Sequence, residues 1–374
     1  MRQSAFFFLV FSLLQVSVNA QERSNHAKKF EQLDQVLRSP NEYRGADGAP
    51  GPRYWQQKAD YKINCILDTK EQRLDGSETI TYHNNSPVDM TYLWLQLDEN
   101  EHEATNTKHH MNTSDMNKVM NEGSLERLEA TTQLDKYGVK IKKVSTDKGI
   151  ALTYTIVETM MRIELPQTLK AGKKVSFNID WSYHLIDRMK TPSWGRGGFE
   201  FFEDHGNYLY TIVQWFPRMC VYSDFEGWQN KQFVGRGEFA LTFGDYEVNI
   251  TLPSDHVVAG TGECTNYKEV LSPNHYSKWI QSQSAKTPLE IVTLAEAKAN
   301  ELLPISTKMK TWKYKATNVR DFAWTASKKF VWDAMPHYNE NGKKAMCMSL
   351  YGKEAYPIYN KRSEERRVGK ECCR

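Results

Sequence analysis

One histidine–glutamate pair, His102-Glu103, has the residue types that zinc peptidases use. In the motif H-E-x-x-H, two histidines one helical turn apart hold the metal, and the glutamate takes a proton from the metal-bound water. Here Asn106 stands at the position of the second histidine, and His109-His110 have no partner at helical spacing. The sequence therefore predicts no metal ligand and no catalytic residue in this chain. It predicts that His102 and Glu103 are ordinary surface residues.

Two other kinds of catalytic or phosphate-binding motif are absent. No G-x-S-x-G nucleophile sequence occurs. The glycine-rich run Trp194–Gly198 lacks the lysine and hydroxyl residue of a P-loop, and it follows no βα unit. We expect this run to be a loop near an interdomain cleft.

The net charge of the chain gives no reason to expect a partner that binds to a basic surface. The 374 residues carry a formal net charge of +3. Residues 362–374, RSEERRVGKECCR, resemble a translated sequencing adapter and supply +2 of that charge. Without this tail the protein is nearly neutral, so we expect no nucleic-acid partner.

The first twenty residues are typical of a secretory signal peptide. Arg2 precedes an apolar run from Ala5 to Val18, and the small residue Ala20 ends the segment. The run is too short to span a membrane, and no other stretch reaches the required length. We therefore expect a secreted or periplasmic protein without a membrane span after cleavage of residues 1–20.

The cysteines predict neither a zinc site nor a disulfide framework. Outside the tail they are far apart and form no C-x-x-C pair: Cys65, Cys220, Cys264 and Cys347. Secretion permits disulfides, but scattered cysteines in a chain of this length do not require them. Buried thiols are expected, and the sequence leaves the disulfide state open.

Short runs with a period of two residues predict a mainly β fold. These runs are Tyr61–Leu67, Glu78–His83, Met90–Asp98, Val139–Val144, Ile150–Thr155, Met161–Leu165, Val175–His184, Tyr208–Trp215, Phe239–Phe243, Tyr246–Leu252 and Thr307–Ala316. Dense strands separated by turns predict an antiparallel β-sandwich or saddle. Asp75–Gly76 is interpreted as a bulge or turn, and Gly244–Asp245 as a turn. Residues 319–335 are compatible with either helix or strand.

Two segments resemble the amino-terminal β domain of the aminopeptidase N family of zinc metallopeptidases, the gluzincins. In Tyr208–Pro253, a strand ending in Gln is followed by Phe-Pro-Arg, then by Asp224, and finally by VNITLP. The run from Tyr61 to Leu97 has the opening pattern Y-x-I-x-x-x-L-D, then I-x-Y-x-N-x-S and L-x-L-x-L. The family's Cys-Phe-Asp-Glu-Pro turn is absent, so the resemblance is to a diverged bacterial branch.

The resemblance implies a domain order. After the signal peptide and a polar linker at 21–53, residues 54–335 would form the amino-terminal β domain. Residues 336–361 would begin the α/β catalytic domain, and 362–374 would be the adapter-derived tail. The zinc motif and the family's Gly-x-Met-Glu-Asn segment would lie beyond Lys361. Zinc, peptide substrates and the missing catalytic domain therefore belong to the full-length parent, and this fragment alone is expected to be inactive.

The resemblance also implies one substrate-binding residue. In the family, this domain contributes a Gln or Glu to the part of the active site that binds the substrate amino group. That residue lies a few positions before an Arg. Gln214 stands four residues before Arg218. Its neutral amide would accept a hydrogen bond from the ammonium group without burying a charge. The alternative role of Gln214 is to cap local backbone at a strand end.

A second interpretation of the whole chain is a stand-alone secreted β-sandwich module. Such a module would bind a glycan or a protein through exposed aromatic residues, and Trp215, Phe216 and Tyr222 are candidates for a pocket or for the core. The two interpretations differ in how the gene continues beyond Lys361. Continuation into an H-E-x-x-H helix favours the peptidase, whereas a stop codon favours the module.

Overall fold

The computed structural model describes residues 40–106, 121–123, 136–190, 197–233 and 240–360. The described residues divide into two units, one that ends at Tyr54 and one that begins at Trp55. In the first unit, the Asn41 side chain accepts hydrogen bonds from the backbone N–H groups of Tyr43 and Arg44, which is an Asx turn. The expected signal peptide, His109-His110, Trp194–Arg196 and the tail lie outside the described residues.

The second unit consists mainly of β-strands, which confirms the predicted fold class. The strands are β1 (Lys58–Asp68), β2 (Arg73–His83), β3 (Met90–Gln96), β4 (Lys140–Thr146), β5 (Tyr154–Val157), β6 (Met160–Leu169), β7 (Lys174–His184), β8 (Gly198–Phe202), β9 (Asn207–Ile212), β10 (Arg218–Met219), β11 (Tyr222–Ser223), β12 (Gly227–Trp228), β13 (Gly244–Pro253), β14 (Val257–Gly260), β15 (Glu263–Cys264), β16 (Leu289–Val292), β17 (Met309–Val319), β18 (Trp324–Ser327), β19 (Phe330–Tyr338) and β20 (Lys344–Gly352). The helices are α1 (Tyr267–Val270), α2 (Pro273–Ser282), α3 (Leu294–Glu301) and α4 (Tyr356–Tyr359). Within the described ranges, no helix is both long and apolar enough to cross a membrane.

In the described part of the chain, the strands form five sheets. The largest has seven strands in the order β15-β17-β13-β1-β2-β7-β4. Four-stranded sheets have the orders β10-β3-β6-β5 and β14-β18-β9-β8, and the smaller sheets are β16-β19-β20 and β11-β12. Every named pair of strands in the described part is antiparallel except β1 with β13.

The large sheet is amphipathic, and its strand β1 shows why. Residues 59, 61, 63, 65 and 67 are buried, whereas residues 62, 64 and 66 are exposed. This alternation places one face on the core and the other toward water. On the core face, the rings of Tyr61 and Tyr246 stack with centroids 4.7 Å apart, and Phe216 meets Tyr61 edge-on at 5.4 Å.

Helices α2 and α3 begin at capping residues that the sequence supplies. The Ser272 hydroxyl accepts a hydrogen bond from the backbone N–H of His275, and Pro273 occupies the first turn of α2. At the start of α3, Thr293 and Glu296 bond to each other's backbone N–H groups and form a capping box.

Asp75–Gly76 and Gly244–Asp245, which the sequence predicted to be turns or a bulge, lie in strands instead. Gly76 pairs without a shift of register with both β1 and β7, so the predicted bulge or turn is wrong. A Cβ on Gly76 would lie 2.2 Å from a ring atom of the fully buried Trp181. Gly244 begins β13, where a Cβ would lie 1.6 Å from the carbonyl oxygen of Ala59. Both glycines serve close tertiary packing, which local turn signals do not reveal.

Other predicted boundaries also shift. Residues 319–335 include the end of β17, all of β18 and part of β19. This segment, which the sequence left open between helix and strand, therefore forms strands. Residues 240–243 form no strand, contrary to the alternation over Phe239–Phe243. The strand predicted to reach Trp215 ends at Ile212. Residues 335 and 336, between which the resemblance placed a domain boundary, both lie in β19, and the domain order stays a prediction.

The contact between Gly76 and Trp181 predicts a loss of stability for Gly76→Ala. The added methyl group must displace a buried indole, and overpacking of this kind costs about 1–3 kcal/mol. The measurement is the free energy of unfolding in urea. Ser77→Ala, the next residue on the same strand, has its side chain on the opposite face and is the control. Equal stabilities of the two variants would contradict the assigned packing.

Candidate functional site

Gln214 lies in an unusual backbone conformation just after β9. Its φ angle is +56°, in the left-handed region that residues other than glycine seldom adopt. The next residue, Trp215, is fully buried, and its indole N–H donates to the carbonyl of Phe322 over 2.8 Å. Buried neighbours therefore hold Gln214 in a conformation that costs about 1–3 kcal/mol, and such residues are common at functional sites.

The Gln214 side chain is half-buried. Its amide forms no hydrogen bond with another residue of the described part of the chain, so no contact there supports a backbone-capping role. A carboxamide has two donor hydrogens and an acceptor oxygen. Gln214 can therefore accept a bond from a ligand ammonium group.

Four residues later, Arg218 anchors this segment. It is 1% exposed, and one guanidinium nitrogen, Nη1, donates to Asp321 Oδ2 over 2.7 Å. The other terminal nitrogen donates to Asp98 Oδ2. Arg218 is in β10, Asp98 follows β3, and Asp321 precedes β18. This ion triple therefore joins three segments that are distant in sequence.

The ion triple sets one guanidinium group against two carboxyl groups. Burial raises the pKa of Asp98 and of Asp321, while the nearby guanidinium opposes both shifts. Burial acts to lower the pKa of Arg218, but the two carboxylates outweigh it and the net shift is upward. A buried charge of this kind is tolerated because it is paired and hydrogen-bonded.

A second buried acid, Glu99, lies in the 3₁₀ turn Asp98–His102. Glu99 is 9% exposed, and burial, together with Glu101 and Asp98, raises its pKa well above the usual value. A Cβ on Gly197 would lie 3.5 Å from Glu99 Oε1 and 3.2 Å from the carbonyl oxygen of Val213. The Glu99 carboxyl and the backbone just before Gln214 therefore face the same glycine.

His102 is buried, so the prediction of a surface position is wrong. Asn100 explains the burial: its side chain donates to the carbonyl of Glu158 over 2.8 Å and accepts from the N–H of Val139 over 2.7 Å. These bonds hold the turn against the sheet.

The residues around His102 do not fit a zinc site. His102 Nε2 lies 3.5 Å from Glu101 Oε1, and Glu103 pairs with Lys140 at 3.1 Å. Asn106 donates to the carbonyl of Asn100. The three positions of the incomplete motif thus have separate partners, and no group of three His, Cys, Asp or Glu side chains among the described residues could hold a metal ion.

The cysteines are thiols that form no disulfide in the described part of the chain. Cys65 and Cys220 are buried, and Cys264 and Cys347 are half-buried. Burial raises the pKa of Cys264 to about 11 and those of Cys65 and Cys220 further. Because the thiolate is the nucleophile, these thiols are poorly suited to nucleophilic catalysis at neutral pH.

The aromatic residues near β11 and β12 face one another. Trp55 stacks on Tyr222 with centroids 5.8 Å apart, and Tyr222 meets Trp228 edge-on at 5.1 Å. Trp228 in turn stacks on the buried Tyr82 at 6.0 Å. Trp215 and Phe216 belong to the main core. These rings therefore act mainly in packing.

No protein-family model and no curated protein sequence matches this chain. Similar solved structures include the M1 zinc metallopeptidase from Deinococcus radiodurans, at 10% identity and a TM-score of 0.41, and its mutant bound to a Tyr-Ser-Ala substrate, at 10% and 0.42. Each alignment covers 79% of this chain and 48% of that one. A two-domain M1 zinc metallopeptidase mutant bound to L-tryptophan aligns at 10% identity and a TM-score of 0.41, covering 81% and 50%. This chain spans about half the length of these structures.

Sequence reasoning proposed Gln214 as a site residue, four positions before Arg218, but named none of the acidic side chains near Arg218. Asp98, Glu99 and Asp321 are distant from Arg218 in sequence, and no motif links them. The available signal was the position of Asp98 at the end of the predicted strand Met90–Asp98, with Glu99 directly after it.

The ion triple predicts a large effect for Arg218→Met. Without the guanidinium, Asp98 becomes an uncompensated buried acid, and the free energy of unfolding is expected to fall by about 3–5 kcal/mol. Urea unfolding followed by tryptophan fluorescence measures the change. The control is Arg73→Met, which removes a partly exposed ion pair with Asp75 and is expected to cost about 1 kcal/mol or less. Similar losses in the two variants would refute the anchoring role.

Glu99 predicts a pH dependence of stability. Because its pKa is raised in the folded state, the folded protein keeps this proton when the unfolded chain loses it. Glu99 therefore lowers stability progressively as pH rises above about 4.3, the usual glutamate pKa. We expect Glu99→Gln to be more stable than the original protein at neutral pH and equally stable in acid. Unfolding free energies measured across this pH range test the prediction, and a variant destabilised at neutral pH contradicts it.

Proposed function

We propose that this chain is the amino-terminal β domain of a secreted zinc metallo-aminopeptidase that hydrolyses amino-terminal residues from peptides. The observation that carries the proposal is the placement of Gln214. Its backbone is held at φ +56° by buried neighbours, and its half-buried amide has no hydrogen-bond partner in the described part of the chain. A residue restrained in this way without a structural bond is suited to a ligand.

The ligand that best fits Gln214 is the ammonium group of a peptide. The carboxamide oxygen accepts a hydrogen bond without a second buried charge. Glu99 adds an acidic group beside this backbone, and a nearby cation would favour its ionised form. Asp98 and Asp321 already pair with Arg218, so Glu99 is our candidate for the acid that responds to substrate.

Hydrolysis itself is assigned to the parent protein. Bound zinc would lower the pKa of a water molecule and polarise the scissile carbonyl there. The residues of this chain would orient the amine and form one wall of the site. We therefore expect no hydrolysis by this chain alone.

Two measurements test the proposal that hydrolysis requires the parent protein and is absent from this chain alone. The 374-residue chain is incubated with an aminoacyl dye, and no release above background is expected. Release that a chelator abolishes would contradict the proposal. Sequencing of the intact gene should show in-frame continuation past Lys361 into an H-E-x-x-H motif, and a stop codon there would favour the stand-alone module.

In the full-length protein, Gln214→Ala should lower kcat/KM by about tenfold or more. A hydrogen bond to a charged group contributes about 1.5–3 kcal/mol, and its loss weakens substrate binding. Gln281→Ala, at an exposed position of α2, is the matched control. Unchanged kinetics for Gln214→Ala on several peptides would exclude the role.

A further inference from the structure

Asn-x-Ser/Thr tripeptides occur in this chain at Asn84, Asn112 and Asn249. This tripeptide, with x other than proline, is the acceptor motif for the attachment of a glycan to a secreted protein. Short matches also arise by chance, so the surroundings of each asparagine decide whether it can serve as an acceptor. Asn112 lies outside the described residues.

The surroundings of Asn84 exclude a glycan in the folded protein. The residue is fully buried, and its side-chain nitrogen donates to the carbonyl oxygens of Val88 over 2.7 Å and Leu169 over 3.4 Å. Both amide hydrogens are therefore used inside the protein. Its side-chain oxygen also accepts from the Ser86 hydroxyl over 2.6 Å. A sugar on this nitrogen would have to break buried hydrogen bonds, which is costly.

Asn249 has the opposite surroundings. It is half-buried in the middle of β13, with Glu247 and Thr251 on the same outer face because the side chains of a strand alternate. Its Nδ2 donates one hydrogen to Asn64 Oδ1 over 2.8 Å. The second hydrogen has no partner in the described part of the chain. The nitrogen therefore has one hydrogen that a sugar can replace.

The outer face also leaves room for a sugar at Asn249. Its direct neighbours in the sheet are Asn64 on β1 and Lys313 on β17, and both are exposed. Asn64, Asn249 and Thr251 lie along one surface groove. A sugar attached to Asn249 would therefore contact water and polar side chains, and the core on the other face of β13 would be undisturbed.

The position of Asn249 in a strand does not prevent its modification during secretion. Acceptor asparagines usually lie in surface loops. Strand β17, which pairs with one edge of β13, follows later in the chain: Thr311 of β17 is 60 positions beyond Thr251, its partner. When Asn249 enters the secretory compartment, β17 has therefore still to follow, and the tripeptide is unpaired along that edge.

We propose that Asn249 is an N-glycosylation site that carries an oligosaccharide on the outer face of the large sheet. The donor is an oligosaccharide joined through a diphosphate to a carrier lipid. Asn249 Nδ2 forms a bond to the anomeric carbon, the bond from that carbon to the diphosphate oxygen breaks, and the lipid diphosphate leaves with the electron pair. Nδ2 loses one proton, and nothing is oxidised or reduced. The site is independent of the proposed peptidase function, so either can fail without the other.

Cell-free synthesis of the 374-residue chain with endoplasmic-reticulum vesicles, which contain an oligosaccharyltransferase and its donor, tests the proposal. Import is scored by protection from added protease, and a parallel arm replaces residues 1–20 with a leader of proven activity. Trypsin releases residues 237–268, which contain Asn249 and neither of the other tripeptides. In the folded fraction, we expect a glycan on this peptide and none on the peptide that contains Asn84.

Substitutions within the tripeptide separate modification from structure. Asn249→Gln and Thr251→Val should remove the glycan from residues 237–268, whereas Thr251→Ser should keep it because serine restores the hydroxyl group of the motif. The free energy of unfolding of each variant, measured in urea, shows that it is folded. A glycan that persists on this peptide in Thr251→Val would contradict the assignment.

A bacterial oligosaccharyltransferase that requires an acidic residue two positions before the asparagine provides a second assay, because the exposed Glu247 occupies that position. Glu247→Gln should remove the glycan in this assay and leave it in the vesicle assay. Imported chain that carries no glycan on residues 237–268 in either assay, with either leader, overturns the proposal.

Discussion

Arg218 lies between Asp98 and Asp321 with almost no exposure to water. Removing charged groups from water is costly, and the attraction of the guanidinium group for each carboxyl group offsets part of that cost. The consequence is geometric: strand β10, the turn after β3 and the loop before β18 must meet at one point. Gln214 is four residues from that point, and Trp215 fixes the chain between them. The unusual backbone of Gln214 is therefore maintained by interactions that do not involve its own side chain.

The same region contains acids whose burial is unfavourable. Glu99 has a strongly raised pKa, and so does Glu78 in the core of β2, whose carboxyl oxygens have no hydrogen-bond partner in the described part of the structure. Apolar or amide side chains would be more stable at these places. Glu99 adjoins the candidate substrate site, which gives one physical reason for its presence. Nothing in the structure explains Glu78.

Alternation of apolar residues was sufficient to predict most strands, because one face of each strand is buried. It predicted the ends of β7 to within one residue, those of β13 to within two and those of β1 to within three. It was wrong where tertiary packing overrides local preference. Gly76 is required by the ring of Trp181, and Gly244 by the backbone of Ala59, yet both resemble turn residues in sequence. His102 was assigned to the surface because the polar segment around it gave no sign of the bonds made by Asn100. Long-range pairs of this kind cannot be read from a single sequence.

The parallel pairing of β1 with β13 has a consequence for how the protein is made. Asn64 and Asn249 are neighbours in the sheet but 185 positions apart in the chain. A growing polypeptide must therefore emerge from the ribosome through β13 before the middle of the large sheet can close. Until then, one edge of β1 exposes unpaired backbone groups, which can associate with other chains. Non-local pairing of this kind also slows folding, so the nascent protein has a long interval in which chaperones could act.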